Sequence, residues 1–250
     1  MTESQGLNTI EQFRAPAGGV LLVDKPKGWT SFDVVKKVRG TLRVKKVGHA
    51  GTLDPMATGL LILCSGPMTR RIDTFQALVK HYEGSMRLGA VTPSYDAETP
   101  EEQHRPVGGL SIDDVRSAAQ RYTGEIEQLP PMYSAVKVDG KRLYSLARKG
   151  QEVERKARTV QVDRFEITGG TMPDLQFRVI CSKGTYVRTL AHDVGQDVGC
   201  GAYLTALRRT AIGNFTADEA WTIDAIVAEA PARGDAAAEK ERPDAGRQDS

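Results

Sequence analysis

Apolar residues in this chain occur in runs too short to be buried helices or membrane spans. Gly19-Val20-Leu21-Leu22-Val23-Asp24 ends at Lys25-Pro26-Lys27-Gly28, and Gly59-Leu60-Leu61-Ile62-Leu63-Cys64 follows a second segment rich in glycine and proline. Runs of this length between turn signals read as strands buried on both faces. Helical spacing lies between them: Thr30 or Ser31 caps a helix that places Val34, Val35, Val38 and Leu42 on one face. Helices are also expected over 69–79, from Ser111 to about Tyr122, over 142–149 and over 185–198. Strands are expected over 81–88, 133–138, 160–167, 175–182 and 208–215, with Gly169-Gly170 and Pro173 in a turn. Strands and helices mix without regular βαβ alternation, which predicts an α+β fold around a mixed, largely antiparallel sheet flanked by helices and loops.

A hydrophobic share of 40% suffices for a packed core. From 228 to 250 the chain has no aromatic residue and almost nothing to bury, so it reads as a disordered tail; residues 1–17 read as a flexible N-terminus. Cys64, Cys181 and Cys200 form no C-x-x-C, and His49, His81, His104 and His192 are scattered, so neither a disulfide framework nor a metal site is expected. No signal peptide opens the chain, and no apolar run reaches the ~18 residues of a membrane span. A soluble, cytoplasmic protein without membrane attachment is the expectation.

The net charge of +2 conceals segregation: residues 24–47 hold eight Lys or Arg against two acids, and 134–164 hold nine against four. The intervening 96–127 holds eight acids and three bases. Such faces either attract a polyanion or are ordinary solvated surfaces, and charge alone does not choose between them.

Chemistry concentrates in Gly48-His49-Ala50-Gly51-Thr52-Leu53-Asp54-Pro55, followed by Thr58-Gly59. Glycines permit tight turns or close ligand approach, and Pro55 biases Asp54 toward an extended backbone. Two readings follow: an Asp-Pro turn whose carboxylate caps local amides, or a carboxylate presented from a rigid element into a cleft. Spacing alone favours the turn. No Gly-Lys-Ser/Thr phosphate loop and no G-x-S-x-G elbow are present.

The run Gly48 to Gly59 closely resembles the catalytic motif of the TruB family of tRNA pseudouridine synthases. Four further segments resemble that family in the same order: 19–31, with Lys25-Pro26; Lys80-His81-Tyr82; Leu129-Pro-Pro-Met-Tyr-Ser-Ala-Val-Lys137; and Cys181-Ser-Lys-Gly-Thr-Tyr-Val-Arg188. Together they span 19–213. The resemblance implies the pseudouridine synthase fold over 18–227, with an RNA-gripping insertion at about 125–155. It also implies isomerisation of uridine to pseudouridine in tRNA, at position 55 of the T loop, without cofactor or metal.

By the same resemblance Asp54 is the catalytic aspartate, acting on ribose C1′, uracil C6 or a ribose proton, and Arg188 is its ion-pair partner. Tyr82 stacks on the target base, and His49 stacks in the RNA beside the vacated base position. Leu204 and Leu207 are candidate pocket walls, with core packing the default reading for both. Arg70 contacts RNA, Lys25 and Pro26 brace the catalytic loop, and Lys137, Lys141 and Arg142 grip phosphates from the insertion. The expected partner is the tRNA T stem-loop and the expected state a monomer. Many members continue into a C-terminal PUA domain, and this chain is expected to lack one. Two alternatives stand beside this reading: an RNA-binding protein that remodels tRNA without needing catalysis, which does not exclude it, with the intact Asp54, Tyr82 and Arg188 favouring an active enzyme; and a zinc-dependent base deaminase, for which the sequence holds no suitably spaced His/Cys ligand set.

Overall fold

The computed structural model describes residues 8–134, 136–138 and 140–230, with backbone alone for 137, 138, 141 and 142. Helix α1 (Ile10–Arg14) precedes β1 (Val20–Lys25), then α2 (Ser31–Leu42), β2 (Val47–His49), β3 (Thr58–Ser65), α3 (Ile72–Ala77) and β4 (Lys80–Leu88). The chain continues through α4 (Ile112–Gln120), β5 (Gly124–Gln128), β6 (Lys137–Val138), β7 (Lys141–Arg142) and α5 (Leu143–Ala147). It ends with β8 (Arg158–Thr171), β9 (Asp174–Cys181), α6 (Val187–Asp197), β10 (Ala202–Ile212), β11 (Phe215–Thr216) and α7 (Ile223–Ala228).

Nine strands form one sheet in the order β1-β3-β10-β4-β9-β8-β5, with β2 on β3 and β11 on β10. Every pairing is antiparallel except a two-residue parallel contact, Arg208 with Thr58 and Arg209 with Gly59. That contact places β3, which follows the Asp54 loop, beside β10, and Gly59 permits it. Its φ is +99°, and a Cβ there would lie 2.3 Å from the Arg209 carbonyl oxygen. The expected α+β fold with a mixed, mainly antiparallel sheet is what forms.

Helices α4 and α6 cover one face of β4, β8, β9 and β10 over Met86, Phe165, Phe177, Val179, Leu190 and Val194. Gly195 lets α6 approach β10, since a Cβ there would stand 2.1 Å from the Ala202 nitrogen. Around β1 and β3 a second core joins Leu21, Leu61 and Leu63 to the α2 face formed by Val34, Val35, Val38 and Leu42. A capping box starts α2: Thr30 Oγ1 accepts from Asp33 N at 3.1 Å, and Asp33 Oδ2 accepts from Thr30 N at 2.9 Å, worth about 1 kcal/mol. Ser111 and Asp114 start α4 in the same way. No described helix is long and apolar enough to cross a membrane.

The structure differs from the sequence expectations in several places. Residues 8–17 are docked rather than loose: Phe13 is fully buried, the Asn8 side chain accepts from Leu22 N at 2.8 Å, and Trp221 Nε1 donates to Asn8 O. These are long-range contacts that local composition does not register. The expected tail from 228 ends α7 at Ala228, and residues 231–250 lie outside the described residues. The helix expected over 69–79 is a 3-10 turn, Gly66–Arg71, followed by the short α3. Gly169 and Gly170 belong to β8, and the reversal falls at Met172-Pro173. Strand β10 begins at Ala202 rather than 208, and β2 and β5 had no expectation. Residues 124–128, at the start of the expected insertion, pair with β8 in the main sheet.

Candidate active site

The loop from Ala50 to Ala57 joins two strands, and bonds to distant parts of the chain fix its backbone. Ser31 Oγ accepts from Leu53 N at 2.9 Å and donates to Leu53 O at 3.3 Å. Gly28 N donates to Pro55 O at 2.8 Å, and Met56 N donates to Glu98 Oε1 at 3.1 Å. Lys25, fully buried, donates from Nζ to the carbonyls of Pro26, Trp29 and Pro55 at 3.1, 2.6 and 3.3 Å. Leu53 and Met56 are buried on either side, while the Asp54 side chain keeps 36% of its surface exposed. Both expectations for this loop therefore have a part: the backbone is a turn (Ala57 N donates to Asp54 O), and the carboxylate is presented rather than used as a cap.

The carboxylate meets Arg188. Its Oδ2 lies 2.9 Å from Arg188 Nε, with the N–H directed off the line between them, so the contact is an ion pair rather than an aligned hydrogen bond. Arg188, 4% exposed near the start of α6, has its other nitrogens engaged: Nη1 donates to Ser94 O and Nη2 to Tyr133 O, both at 2.8 Å. Nη1 also lies 3.4 Å from Oδ2 of buried Asp96. One guanidinium thus links the Asp54 loop, the 94–96 turn and the segment carrying Tyr133. Position 186, preceding α6, is held by buried Gln128 at the end of β5: Tyr186 N donates to Gln128 Oε1 at 2.7 Å, and Gln128 Nε2 donates back to Tyr186 O.

Asp54 opens into a cavity of about 340 Å3 lined by Tyr82, Lys80, Arg188, Arg209 and Leu207 among others. Tyr82 is 9% exposed, and burial pushes its phenol above its ordinary range, so it stays a neutral aromatic face. Arg209 is 1% exposed with no carboxylate partner among the described residues. Its guanidinium donates to carbonyls of Leu60 (2.7 Å), Gly51 (3.1 Å) and Thr52 (3.5 Å), where Gly51 has φ +101°. Lys80 Nζ donates to the carbonyls of Gln76 and Leu78. The cavity floor is therefore cationic around a single carboxylate.

Two of the buried lysines titrate unusually. Burial brings Lys25 and Lys80 each down to about 8, with Arg209 pushing both the same way and Asp54 opposing at Lys25. Between about pH 8 and 10.5 the unfolded chain holds more protons on these lysines than the folded one, so stability rises with pH across that window. The relief is complete above the unfolded value and lost as pH falls through 8. Urea unfolding at pH 7.5 and 9.5 is expected to show this rise, no steeper than about 1.4 kcal/mol per pH unit for each lysine. Lys80→Met should flatten it; an equal rise in both proteins would refute the burial account.

Other expected site residues fall elsewhere. His49 is half-buried on β2, outside the cavity lining, and burial holds its imidazole below the ordinary range. Arg70 is exposed on the 3-10 turn, and Pro26 sits in the turn that Lys25 braces. The side chains of Lys137, Lys141 and Arg142 lie outside the described residues; their backbone forms the β6–β7 hairpin. Leu204 is corrected: it is fully buried in the main core and does not line the cavity, whereas Leu207 does. A register shift between Leu204 and Ala206 breaks the alternation of β10, so counting along the strand picks the wrong leucine. Sequence reasoning also missed Arg209, Asp96 and the cavity-facing role of Lys80. Strand parity was the available signal: Lys80 lies two residues from Tyr82 on one face, and Arg208-Arg209 must point to opposite faces.

The model of the TruB family pseudouridylate synthase N-terminal domain matches residues 39–187, and the tRNA pseudouridylate synthase B C-terminal domain matches 188–241. Their junction falls within α6, beside Arg188, so the ion pair to Asp54 joins the two matched regions. A protein named tRNA pseudouridine synthase B in Opitutus terrae is 52% identical over 217 residues, covering 87% of this chain and 90% of its own. Its namesake in Chlorobaculum tepidum is 51% identical over 217 residues, covering 85% and 90%. Among solved structures, a chain of a Cbf5-Nop10-Gar1 complex superposes with TM-score 0.66 at 30% identity, covering 90% of this chain and 60% of its own. A chain of an H/ACA RNP bound to a substrate RNA containing 2'-deoxyuridine gives 0.63 at 27%, covering 90% and 58%. This chain therefore spans about three-fifths of those solved chains.

Proposed function

The chain belongs to the TruB family of pseudouridylate synthases, and from that membership we propose that it isomerises uridine at position 55 of the tRNA T loop, with Asp54 as the catalytic group. The enzyme is a tRNA pseudouridine synthase, an isomerase. The observation that carries the finer reading is the Asp54 carboxylate, ion-paired to Arg188 at 2.9 Å yet one-third exposed at a cavity faced by Tyr82. A volume of about 340 Å3 falls at the lower end of the ~300–1,000 Å3 usual for small-ligand sites, consistent with one flipped nucleotide rather than a duplex.

Uridine and pseudouridine are isomers. The N1–C1′ bond breaks, the base turns while held, C5 bonds to C1′, the C5 proton leaves to solvent and N1 takes up a proton. Asp54 serves as nucleophile toward C1′ or C6, or as base toward a ribose proton. In each case Arg188 aims the carboxylate and balances its charge in a site that excludes water once occupied. Tyr82 supplies a neutral stacking face for the extruded base. Lys80 and Arg209 place positive potential where a detached uracil would carry developing negative charge. The insertion grips the stem with its basic residues, Lys137, Lys141 and Arg142 among them, and connects to the chemistry through the bond from Arg188 to Tyr133 O.

The test uses a T stem-loop transcript tritiated at uracil C5. Wild-type protein is expected to release one tritium per RNA, and a transcript with cytidine at position 55 and labelled uridines elsewhere should release none. Release from the second transcript at a comparable rate would refute the assignment of position.

A further inference from the structure

Outside the cavity, the face of α2 combines features that nothing above uses. Phe32 is 68% exposed, the only aromatic among the exposed large hydrophobics of the described residues. Within the same segment, all the Lys and Arg between 24 and 47 except buried Lys25 are exposed. None of them forms an ion pair among the described residues. The two acids of the segment are already engaged: Asp33 closes the Thr30 capping box, and Asp24 pairs with Arg208 at 2.8 Å. A shallow groove of about 710 Å3 runs along this surface past Trp29, Lys36 and Lys37. The patch adjoins the site, because Ser31, next to Phe32, is doubly hydrogen-bonded to Leu53, next to Asp54.

We propose that this face of α2 is a second RNA-contact surface, on which an unpaired base outside the catalytic cavity stacks on Phe32 while phosphates of the same strand lie along Lys27, Lys36 and Lys37. This rests on the reading that the substrate is RNA. A single exposed aromatic on a helix that also exposes Lys36, Lys37 and Arg39, none with an ion-pair partner among the described residues, matches the alternation of bases and phosphates; a protein-docking face would offer a contiguous apolar area, and the remaining exposed positions of α2 are charged or polar apart from Gly40. Twelve helical residues extend about 18 Å, or roughly five nucleotides of one strand at ~3.4 Å each. The flipped uridine would then be held from two sides, the insertion on one and α2 on the other.

The test measures tRNA affinity of the full chain by fluorescence anisotropy across 50–250 mM KCl. Phe32→Ala is expected to weaken binding roughly tenfold with the salt slope unchanged, and Phe32→Trp to restore it. Lys36→Gln/Lys37→Gln should weaken binding and reduce the slope of log K against log [KCl] by about 0.7 per lysine removed. Because all these side chains are exposed, melting temperatures should match wild type. Affinities within twofold of wild type for Phe32→Ala, with an unaltered slope for the lysine variant, would overturn the proposal and leave the surface to another partner. Tritium release by wild type on the same tRNA separates the two readings. Release with unaltered binding by the variants refutes only the α2 surface. Weakened binding by the variants without release by wild type supports that surface and refutes position 55.

Discussion

Asp54→Asn should release no measurable tritium from C5-labelled tRNA where wild type runs to completion, a loss of at least about 10³-fold, or roughly 4 kcal/mol of transition-state stabilisation. The substitution is nearly isosteric and removes only the charge and the nucleophilic or basic oxygen pair. The loop should keep its shape, since the bonds that fix it run from Lys25, Gly28, Ser31, Glu98 and Arg209 to backbone groups rather than to the Asp54 carboxylate. Arg188 retains Ser94 O, Tyr133 O and Asp96. Unchanged melting and retained tRNA binding are therefore expected together with lost chemistry. Activity above about one per cent of wild type would remove Asp54 from the catalytic role.

Arg188→Met should be costly twice over. Asp96, 1% exposed, would lose its cationic neighbour, although its Oδ1 still accepts from Ser94 Oγ at 2.5 Å and Glu98 N at 3.0 Å. The carbonyls of Ser94 and Tyr133 would also lose donors. Removing one partner of a buried ion pair costs about 3–5 kcal/mol, which in a chain of this size lowers the melting temperature by roughly 10 °C. The double variant Arg188→Met/Asp96→Asn separates structure from function. It removes the stranded charge and should recover at least half of the lost stability while tritium release stays lost. If activity returned with stability, Arg188 would be merely structural. Arg188→Lys keeps the charge, but a single ammonium cannot reach Asp54, Ser94 O and Tyr133 O together, so it should fold better than the Met variant and still turn over slowly.

These two residues show how differently the site was legible. Asp54 sits in a glycine-flanked Asp-Pro run whose local chemistry is that of a turn, and the turn is present; only the ordered company of other family motifs singled out its carboxylate. Arg188 was matched by motif, but its engagement with Ser94, Asp96 and Tyr133 has no local signature. Asp96 lies in the acidic stretch that reads as solvated surface, yet it is among the most buried acids of the described residues. Arg208-Arg209 opens the strand expected over 208–215. Strand parity sends Arg208 outward to Asp24 and Arg209 inward to the Asp54 loop, and the bulge after Leu204 sets which parity applies.

What the amino-acid order determined by itself is what neighbours decide: caps at Thr30 and Ser111, the buried strands 20–25 and 58–65, the helical face of α2, and the Asp-Pro turn. Each depends on interactions within a few residues, or on a periodicity that local geometry imposes. Tertiary structure alone decided which leucine faces the cavity, that Phe13 anchors the N-terminal segment, and that Lys80, Arg188 and Arg209 form a buried cationic lining around one carboxylate. Those outcomes depend on sheet register and on contacts between segments apart in sequence, such as Ser65 with Phe13 and Arg209 with Gly51 and Leu60, and burial of charge becomes favourable only once carbonyls converge on it.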